Sequence, residues 1–568
     1  MPNDAGRCPI SEGLHDHAQS TPSGFDDFRN LFGPASSDEQ YQGFGAGHED
    51  KTQEMLLHLE ACMANSGAED GDGESGIPAG YTYLAQLAAH DLVQNSAPLP
   101  QHRTACPLRG NLRRQRLMLE TIYGGGPGAI PYAYSFEGGL MSGKHERNRL
   151  RLHIIEEDEA DIGDSDTKFG RLRDLPRIAP INHSGKEVSP DRLVDVLVAD
   201  PRNDDHLILA QLTVIFHILH NWIVDRLVEL DEQDGISETR ADYFVRARKA
   251  TTFLFRRVVF ADLLRQLLHP KVHEFYEDKG GRLDYGDERM PLEFSHAVFR
   301  AGHTMVRNVY RLNRDDKAIQ TTLNVLFDRT SSQTATQVPH SKTWWVQWSS
   351  LFQIPARQGT SSMTDNHVDS PFVTPQMSNP LSPAAVPNLV YEDAFLVGRQ
   401  GPGGLLYHDF LRGAFSGLRS VASLVSHVLK LLPEEYACVG ALMDEESRRR
   451  HLSVWLNNNR RGYKGLDLEA HEVQKLIQDP PLLFFILVEA MVDNADKPKK
   501  GFGFLGSIIV AEVLYAARDK TFALIEGDPA VCDDVAHVFP NGVPETMPDL
   551  ILDLAEATGL AHLDCRFV

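Results

Sequence analysis

The chain has 568 residues, 42% hydrophobic and 24% charged, which is enough apolar material for a large buried core. Its formal charge of −23 repels phosphates and anionic headgroups, which excludes nucleic acid and acidic membrane surfaces as preferred partners and points to small-molecule chemistry. Six cysteines, at 8, 62, 106, 438, 532 and 565, form no CxxC pair and read as isolated thiols of a reducing compartment.

The start, Met1-Pro2-Asn3-Asp4, lacks a basic stretch followed by an apolar run, so no signal peptide is expected. No apolar run is read as long enough to span a membrane, and a soluble protein, cytoplasmic or exported by a non-classical route, fits. Residues 1–78 are rich in Gly, Asp, Ser and His around one short helix, Thr52 to Met63, and read as a flexible arm and linker. Tyr81 to Leu92 follows as a helix on which Gln86 and His90, four apart, share one face. Two polar side chains stacked on an apolar helix need a polar target.

Residues 120–195 are loop-like, with Gly124-Gly125-Gly126-Pro127 and then an acidic run from Glu156 to Asp166 that lacks EF-hand spacing and reads as solvated surface. Asp200-Pro201-Arg202-Asn203-Asp204-Asp205 opens the longest apolar helix, Leu207 to Leu230, with Asp200 as its cap and Pro201 at its first position. Arg202 and Asp205 point to one side of the first turn. An arginine gains nothing from the dipole at a helix start, so its placement is informative. His217 and His220 have H-x-x-H spacing but no accompanying carboxylate, and read as core packing.

A second apolar helix covers Tyr243 to Leu268, and Val298 to Tyr310 follows as the central stretch. There Phe299, His303, Val306 and Tyr310 share a helical face, and Gly302 leaves room for a bulky group beside the histidine. Residues 354–402 read as a long surface excursion, and helical text resumes from Asp409 to Leu432. Asn457, Asn458, Asn459, Arg460 and Arg461 follow an apolar helix, where the amides serve as a C-terminal cap or as polar partners. Pro481 to Val492 and Leu505 to Ala517 are apolar helices. Gly501-Phe502-Gly503-Phe504-Leu505-Gly506 spells GxGxxG but follows Lys497-Pro498-Lys499-Lys500 and not a strand, so dinucleotide binding is not expected. Strand-like alternation is scarce, and the fold is expected to be mainly α.

These segments together supply the parts of haem peroxide chemistry. Ala79 to Leu92, with Gln86, His90 and Asp91, resembles the distal-histidine segment of the animal-type haem peroxidase family, in the peroxidase–cyclooxygenase superfamily. Asp200-Pro201-Arg202-Asn203-Asp204 and Phe299-Arg300-x-Gly302-His303-Thr304 resemble its distal-arginine and proximal-histidine segments. Asn458-x-x-Arg461-Gly462 and Ile508 to Leu514 extend the likeness over roughly residues 75 to 525, and Tyr123 to Gly128 resembles a glycine-rich stretch of the bacterial branch.

The resemblance implies one large helical catalytic domain, residues 79–568, holding haem b. His303 would ligate iron, and Asn458 would accept a hydrogen bond from its other ring nitrogen. An amide is a weaker acceptor than a carboxylate, which leaves the ferric state less stabilised. His90 would take a proton from hydrogen peroxide and return it to the departing oxygen, Arg202 would stabilise the developing charge, and Gln86 would hold a water or a halide-like anion. Arg300 and Arg461 would pair with propionates or orient the proximal side. The implied reaction reduces hydrogen peroxide and oxidises small phenolic or inorganic donors.

Two departures limit covalent attachment: Ala89 replaces an ester-forming aspartate and Asp205 a longer ester-forming glutamate. His206 replaces a methionine that forms a further link in some members. Haem is therefore expected to be non-covalent or held by at most one ester. Asp91 matches one ligand of the family's calcium site, but the T-x-F-x-D-x-S partner segment is missing, and a structural cap is the competing role. A fatty-acid dioxygenase is the alternative activity, opposed by Arg300 at the position of the radical tyrosine. A haem-binding protein without turnover is opposed by the joint presence of His90 and Arg202.

Overall fold

The computed structural model describes residues 28–65, 74–94, 111–135, 172–178, 195–236, 238–283, 289–312, 346–354, 368–375 and 403–558, with short pieces at 152, 155–157, 321–322 and 326. Among these, helices carry the architecture and strands occur as two-stranded pairs. The principal helices are α1 (Glu49–Asn65), α2 (Gly80–Leu92), α3 (Leu207–Asp234), α4 (Arg240–Val258), α5 (Leu405–Ala414), α6 (Val421–Leu431), α7 (Glu445–Asn458), α8 (Leu482–Asp493), α9 (Phe504–Thr521), α10 (Pro529–Val538) and α11 (Met547–Thr558). One hydrophobic core runs through them, from Phe28 to Ala555.

At its centre is α3, apolar around its whole circumference and therefore buried. Its length and composition reach the membrane-spanning range, which corrects the sequence reading, but 83% of its most apolar window is buried inside the fold. It is a core helix. His217 and His220 are buried in it as expected, with Nδ1 of His220 3.0 Å from the Tyr123 hydroxyl. The start of α3 also corrects an expectation. Asp200 caps only a short 3-10 turn, Pro201–Asp204, and His206 caps the long helix, its Nδ1 accepting from Leu209 N.

The expected arm is part of the core from residue 28 onward; residues 1–27 and 66–73 lie outside the described residues. Phe28–Arg29 pairs in parallel with Met290–Pro291, and the buried Glu293 carboxylate accepts from Leu31 N at 2.7 Å, Asn30 Nδ2 at 3.0 Å and Arg419 N at 3.0 Å. Low average hydropathy misled the reading because one buried carboxylate satisfies the polar groups of this segment. Part of the 354–402 excursion also returns to the interior. Asp369–Pro371 pairs antiparallel with Glu74–Pro78, and the Ser75 and Ser370 hydroxyls meet at 2.9 Å. Residues 355–367 and 376–402 lie outside the described residues, as does most of the acidic run.

Three helix boundaries differ from expectation for local reasons. Past α4, a π-turn at Val259–Leu263 aims Asp262 at the Tyr81 hydroxyl, 2.8 Å away, and at Met547 N, joining α2, α4 and α11. The Asp409 to Leu432 segment breaks into α5 and α6 around Gly417, whose φ is +71°. The central stretch is a 3-10 helix, Val298–Met305, that turns extended at Val306, and Tyr310 leaves the histidine's face to accept from Arg307 N. The GxGxxG stretch opens α9, where buried Glu489 accepts from Leu505 N at 2.8 Å and Gly506 N at 3.0 Å. The amides that a phosphate would need are already engaged.

Burial pushes Glu60 up to about 7 and Asp91 up to about 6, and burial beside Asp493 raises Glu489. A carboxyl raised on folding contributes stability below its unfolded value that is lost as pH rises through its folded value. Burial also holds His206 down to about 3 and His269 to about 4, and such histidines contribute stability above 6.5 that is lost as pH falls. The histidine contribution is complete above 6.5, so the melting temperature should fall as pH rises from about 6.5 to 8, with Glu60→Gln flattening the part of that decline below about pH 7. A melting temperature that climbs steadily from pH 6 to 8 would contradict this.

Candidate functional site

α2 packs against both α3 and the 3-10 helix Val298–Met305, and α8 and α9 also pack against that 3-10 helix. α2 and this 3-10 helix each carry a half-exposed stripe that runs to the C-cap: Ala85, Gln86, Ala89 and Val93 on α2, and Phe299, Gly302, His303 and Val306 on the 3-10 helix. A Cβ at Gly302 would meet no atom within 4 Å, so there is room beside His303.

His90 is buried near the end of α2, and its Nδ1 lies 3.0 Å from Asn203 Oδ1. The Asn203 amide nitrogen donates to Thr121 O at 3.1 Å, so its carbonyl must face the imidazole. Nδ1 of neutral His90 is then the donor, and the lone pair is left on Nε2. Thr121 is held in turn by Asp91, whose two carboxylate oxygens accept from Leu119 N at 2.8 Å and Thr121 N at 2.9 Å. These bonds hold a loop in which Leu117 and Leu119 have positive φ, an arrangement costing roughly 1–2 kcal/mol per residue. Asp91 thus holds this loop by accepting two of its backbone amides, the structural role that competes with calcium binding. Among the described residues no group of three His, Cys, Asp or Glu side chains is arranged for a metal ion.

Arg202 does not stand at the start of the long helix. It reaches the C-terminal end of α2, donating from Nη2 to His90 O at 3.0 Å and from Nη1 to Val93 O at 2.9 Å. A cation is favoured by the dipole there. Its Nε and Nη2 also bind Asp200, which Arg113 contacts from the other side. Burial pushes the Asp200 carboxyl up, but Arg202, His90 and Arg113 override this and hold it well below the usual range. Arg113 also donates to His90 O, so two arginines grip the turn that carries His90.

Gln86 accepts from His206, Oε1 to Nε2 at 2.9 Å, and because His206 Nδ1 is already an acceptor its proton must be on Nε2. The Gln86 carbonyl is committed, and its NH2 is the group left to bind a ligand. Asp205 is half-buried at the end of the 3-10 turn, while its neighbour Asp204 is fully buried in a double ion pair with Arg177 at 2.6 Å.

On the other side, the His303 side chain is 30% exposed and its Nδ1 lies 2.8 Å from Asp409 Oδ2. Asn458 is not the partner: it is exposed at the end of α7. Arg461 is exposed too, its main-chain oxygen accepting from Asn65, and it takes no part in the site. The spacing of Asn458-x-x-Arg461-Gly462 recurs as Asp409-x-x-Arg412-Gly413, and only the second copy packs against the histidine. Sequence reading missed it because an acid stands where an amide was sought. Arg300 is placed as expected on the proximal side, with Nη1 3.6 Å from Asp409 Oδ1. Burial pushes Asp409 up, but His303 and Arg300 hold it below its ordinary value.

A half-exposed imidazole, tied at Nδ1 to a buried carboxylate and with no hydrogen-bond partner for Nε2 among the described residues, suits an iron ligand. The apolar stripe and the open space at Gly302 suit a flat apolar macrocycle beside it. The residues present fit haem.

Comparison with solved structures gave peroxidase A from Dictyostelium discoideum at 12% identity and TM-score 0.48, covering 92% of this chain and 94% of that one. The fatty acid alpha-dioxygenase of Oryza sativa matches at 10% identity and TM-score 0.51, covering 95% and 84%. The Arabidopsis thaliana fatty acid alpha-dioxygenase matches at 12% identity and TM-score 0.48, covering 93% and 78%. No curated protein sequence matches the chain. The family model described as animal haem peroxidase matches residues 165–381, the stretch that holds Arg202, Arg300 and His303. Over residues 165–381 the chain is similar to the animal haem peroxidase family.

Proposed function

We propose that the chain is a haem-dependent peroxidase that reduces hydrogen peroxide at the expense of small phenolic or inorganic donors. The observation that carries this is a pair of imidazoles on two packed helices, each with Nδ1 held by a protein acceptor, Asn203 for His90 and Asp409 for His303. A packing role needs neither tautomer defined. When bound, haem supplies the iron that takes peroxide and the electrons that reduce it. His303 would hold the iron through Nε2. His90 accepts the peroxide proton at Nε2 and returns it to the departing oxygen, which avoids a charged leaving group. The Gln86 NH2 orients a water or anion. Arg202, with its nitrogens engaged, contributes a fixed charge and anchors the turn of His90.

The cofactor in this reading is haem b without covalent attachment at Ala89, and Asp205 is the single candidate for an ester. The buried thiol of Cys62 and the free thiols of Cys438 and Cys532 support a reducing, cytoplasmic setting. The test is an absorption spectrum of the loaded protein before and after hydrogen peroxide, followed by guaiacol-type phenols, bromide, iodide and thiocyanate. Donor-dependent return to the starting spectrum is expected. Bound haem that supports no oxidation of any donor would leave a haem-binding protein without turnover. The fold likeness to a fatty acid alpha-dioxygenase supports a second reading, against which Arg300 stands paired with Asp409. Oxygen uptake with an unsaturated fatty acid and no peroxide would favour that reading.

A further inference from the structure

We infer that Asp409 biases the site toward easily oxidised phenols and away from halides, by giving the proposed iron-binding histidine a carboxylate partner where the family resemblance implies an amide. The inference rests on the peroxidase reading above and specifies its donor class.

The geometry is firmly built. Asp409 Oδ2 is 2.8 Å from His303 Nδ1, and the Asp409 side chain is 3% exposed. Its helix α5 is fixed at the N-terminus by Glu60 of α1, which accepts from Gly404 N at 2.9 Å and from Tyr407 N at 3.0 Å. That bracing, one turn before Asp409, makes Glu60 a positioning residue for the pair. Arg300, 3.6 Å from the other carboxylate oxygen, offsets part of the charge.

A carboxylate draws the Nδ1 proton more strongly than an amide does, and it leaves more electron density on Nε2. A more basic imidazole at His303 would stabilise the ferric state of a bound haem and make the loaded site a milder oxidant. In the donor reaction, hydrogen peroxide takes up two electrons and two protons and leaves as two waters. Two phenols each lose one electron and one proton and leave as phenoxyl radicals. A milder oxidant suffices for that step, while bromide, which yields its electrons less readily, is disfavoured.

The experiment uses the full-length haem-loaded protein, Asp409→Asn and Arg300→Leu. It measures the ferric/ferrous midpoint potential, the iron–imidazole stretch of the reduced form, and the ratio of kcat/KM for guaiacol to that for bromide. Asp409→Asn should raise the potential, lower the stretching frequency and shift the ratio toward bromide by about tenfold. Arg300→Leu, which removes the offsetting cation, should move the potential the opposite way. Asn458→Ala should change none of the three. If Asp409→Asn does not hold haem, the direction of the Arg300→Leu shift decides. An unchanged potential and stretch in a variant that retains haem overturns the inference. Inactivity of the unsubstituted protein toward every donor would instead overturn the peroxidase reading, with the potentials still reporting on Asp409.

Discussion

His90→Ala should lower kcat/KM for hydrogen peroxide by about 10²–10⁴-fold, the range for loss of a positioned general acid–base group. The haem spectrum should stay close to that of the unsubstituted protein. The effect is large because one atom, Nε2, serves twice, first taking the peroxide proton and then delivering it to the departing oxygen. Asn203→Leu should give a smaller loss, because Nε2 remains present but its tautomer is no longer set by the 3.0 Å bond at Nδ1. Asn203→Asp tests the same point with opposite sign. A carboxylate raises the imidazole's proton affinity, so the acid limb of the pH profile should move to higher pH. Stopped-flow decay of the starting spectrum after peroxide addition measures all three variants. Equal rates in His90→Ala and the unsubstituted protein would remove His90 from the chemistry.

His303→Ala should abolish stable haem retention. Loss of a group behind a metal ligand typically weakens binding by about 10–100-fold, so loss of the ligand itself should weaken it by at least about 100-fold. The substitution also strips Asp409, buried inside the fold, of its 2.8 Å partner and leaves it only the longer contact with Arg300. Leaving a buried carboxylate short of a hydrogen bond costs on the order of 1–3 kcal/mol, so the variant should also melt at a lower temperature. Haem content per chain, measured after extraction into pyridine, separates the two effects. Added imidazole should restore haem binding but not the linkage to Asp409. Full haem content in the variant would show that the iron is held elsewhere.

Helix periodicity was legible wherever an element was long and buried. Tyr81 to Leu92, Pro481 to Val492 and Leu505 to Ala517 lie within a few residues of α2, α8 and α9. Where a boundary depends on one side chain meeting a distant partner, local pattern failed. Asp262 aims at Tyr81 from a π-turn inside what reads as one continuous helix, and Glu293 draws residues 29–31 into the core although their own composition reads as linker. The site divides in the same way. Gln86, His90 and His303 stood out because polar residues on apolar helix faces are costly unless they are used. Asn203, Arg113 and Asp409 are 113, 23 and 106 positions from the histidines they hold.

The chain's own order of residues therefore settled which helices form and which two imidazoles they present, because periodicity and motif spacing act within one element. It could not choose between Asn458 and Asp409, since both precede an arginine and a glycine at the same spacing. Packing made that choice: Glu60 braces α5, Asp409 comes within 2.8 Å of His303, and Asn458 is left in solvent at the end of α7. A hydrogen bond between segments far apart in sequence exists only after the core has brought them together, and that is why the acceptor at Nδ1 of His303 was decided by the tertiary structure.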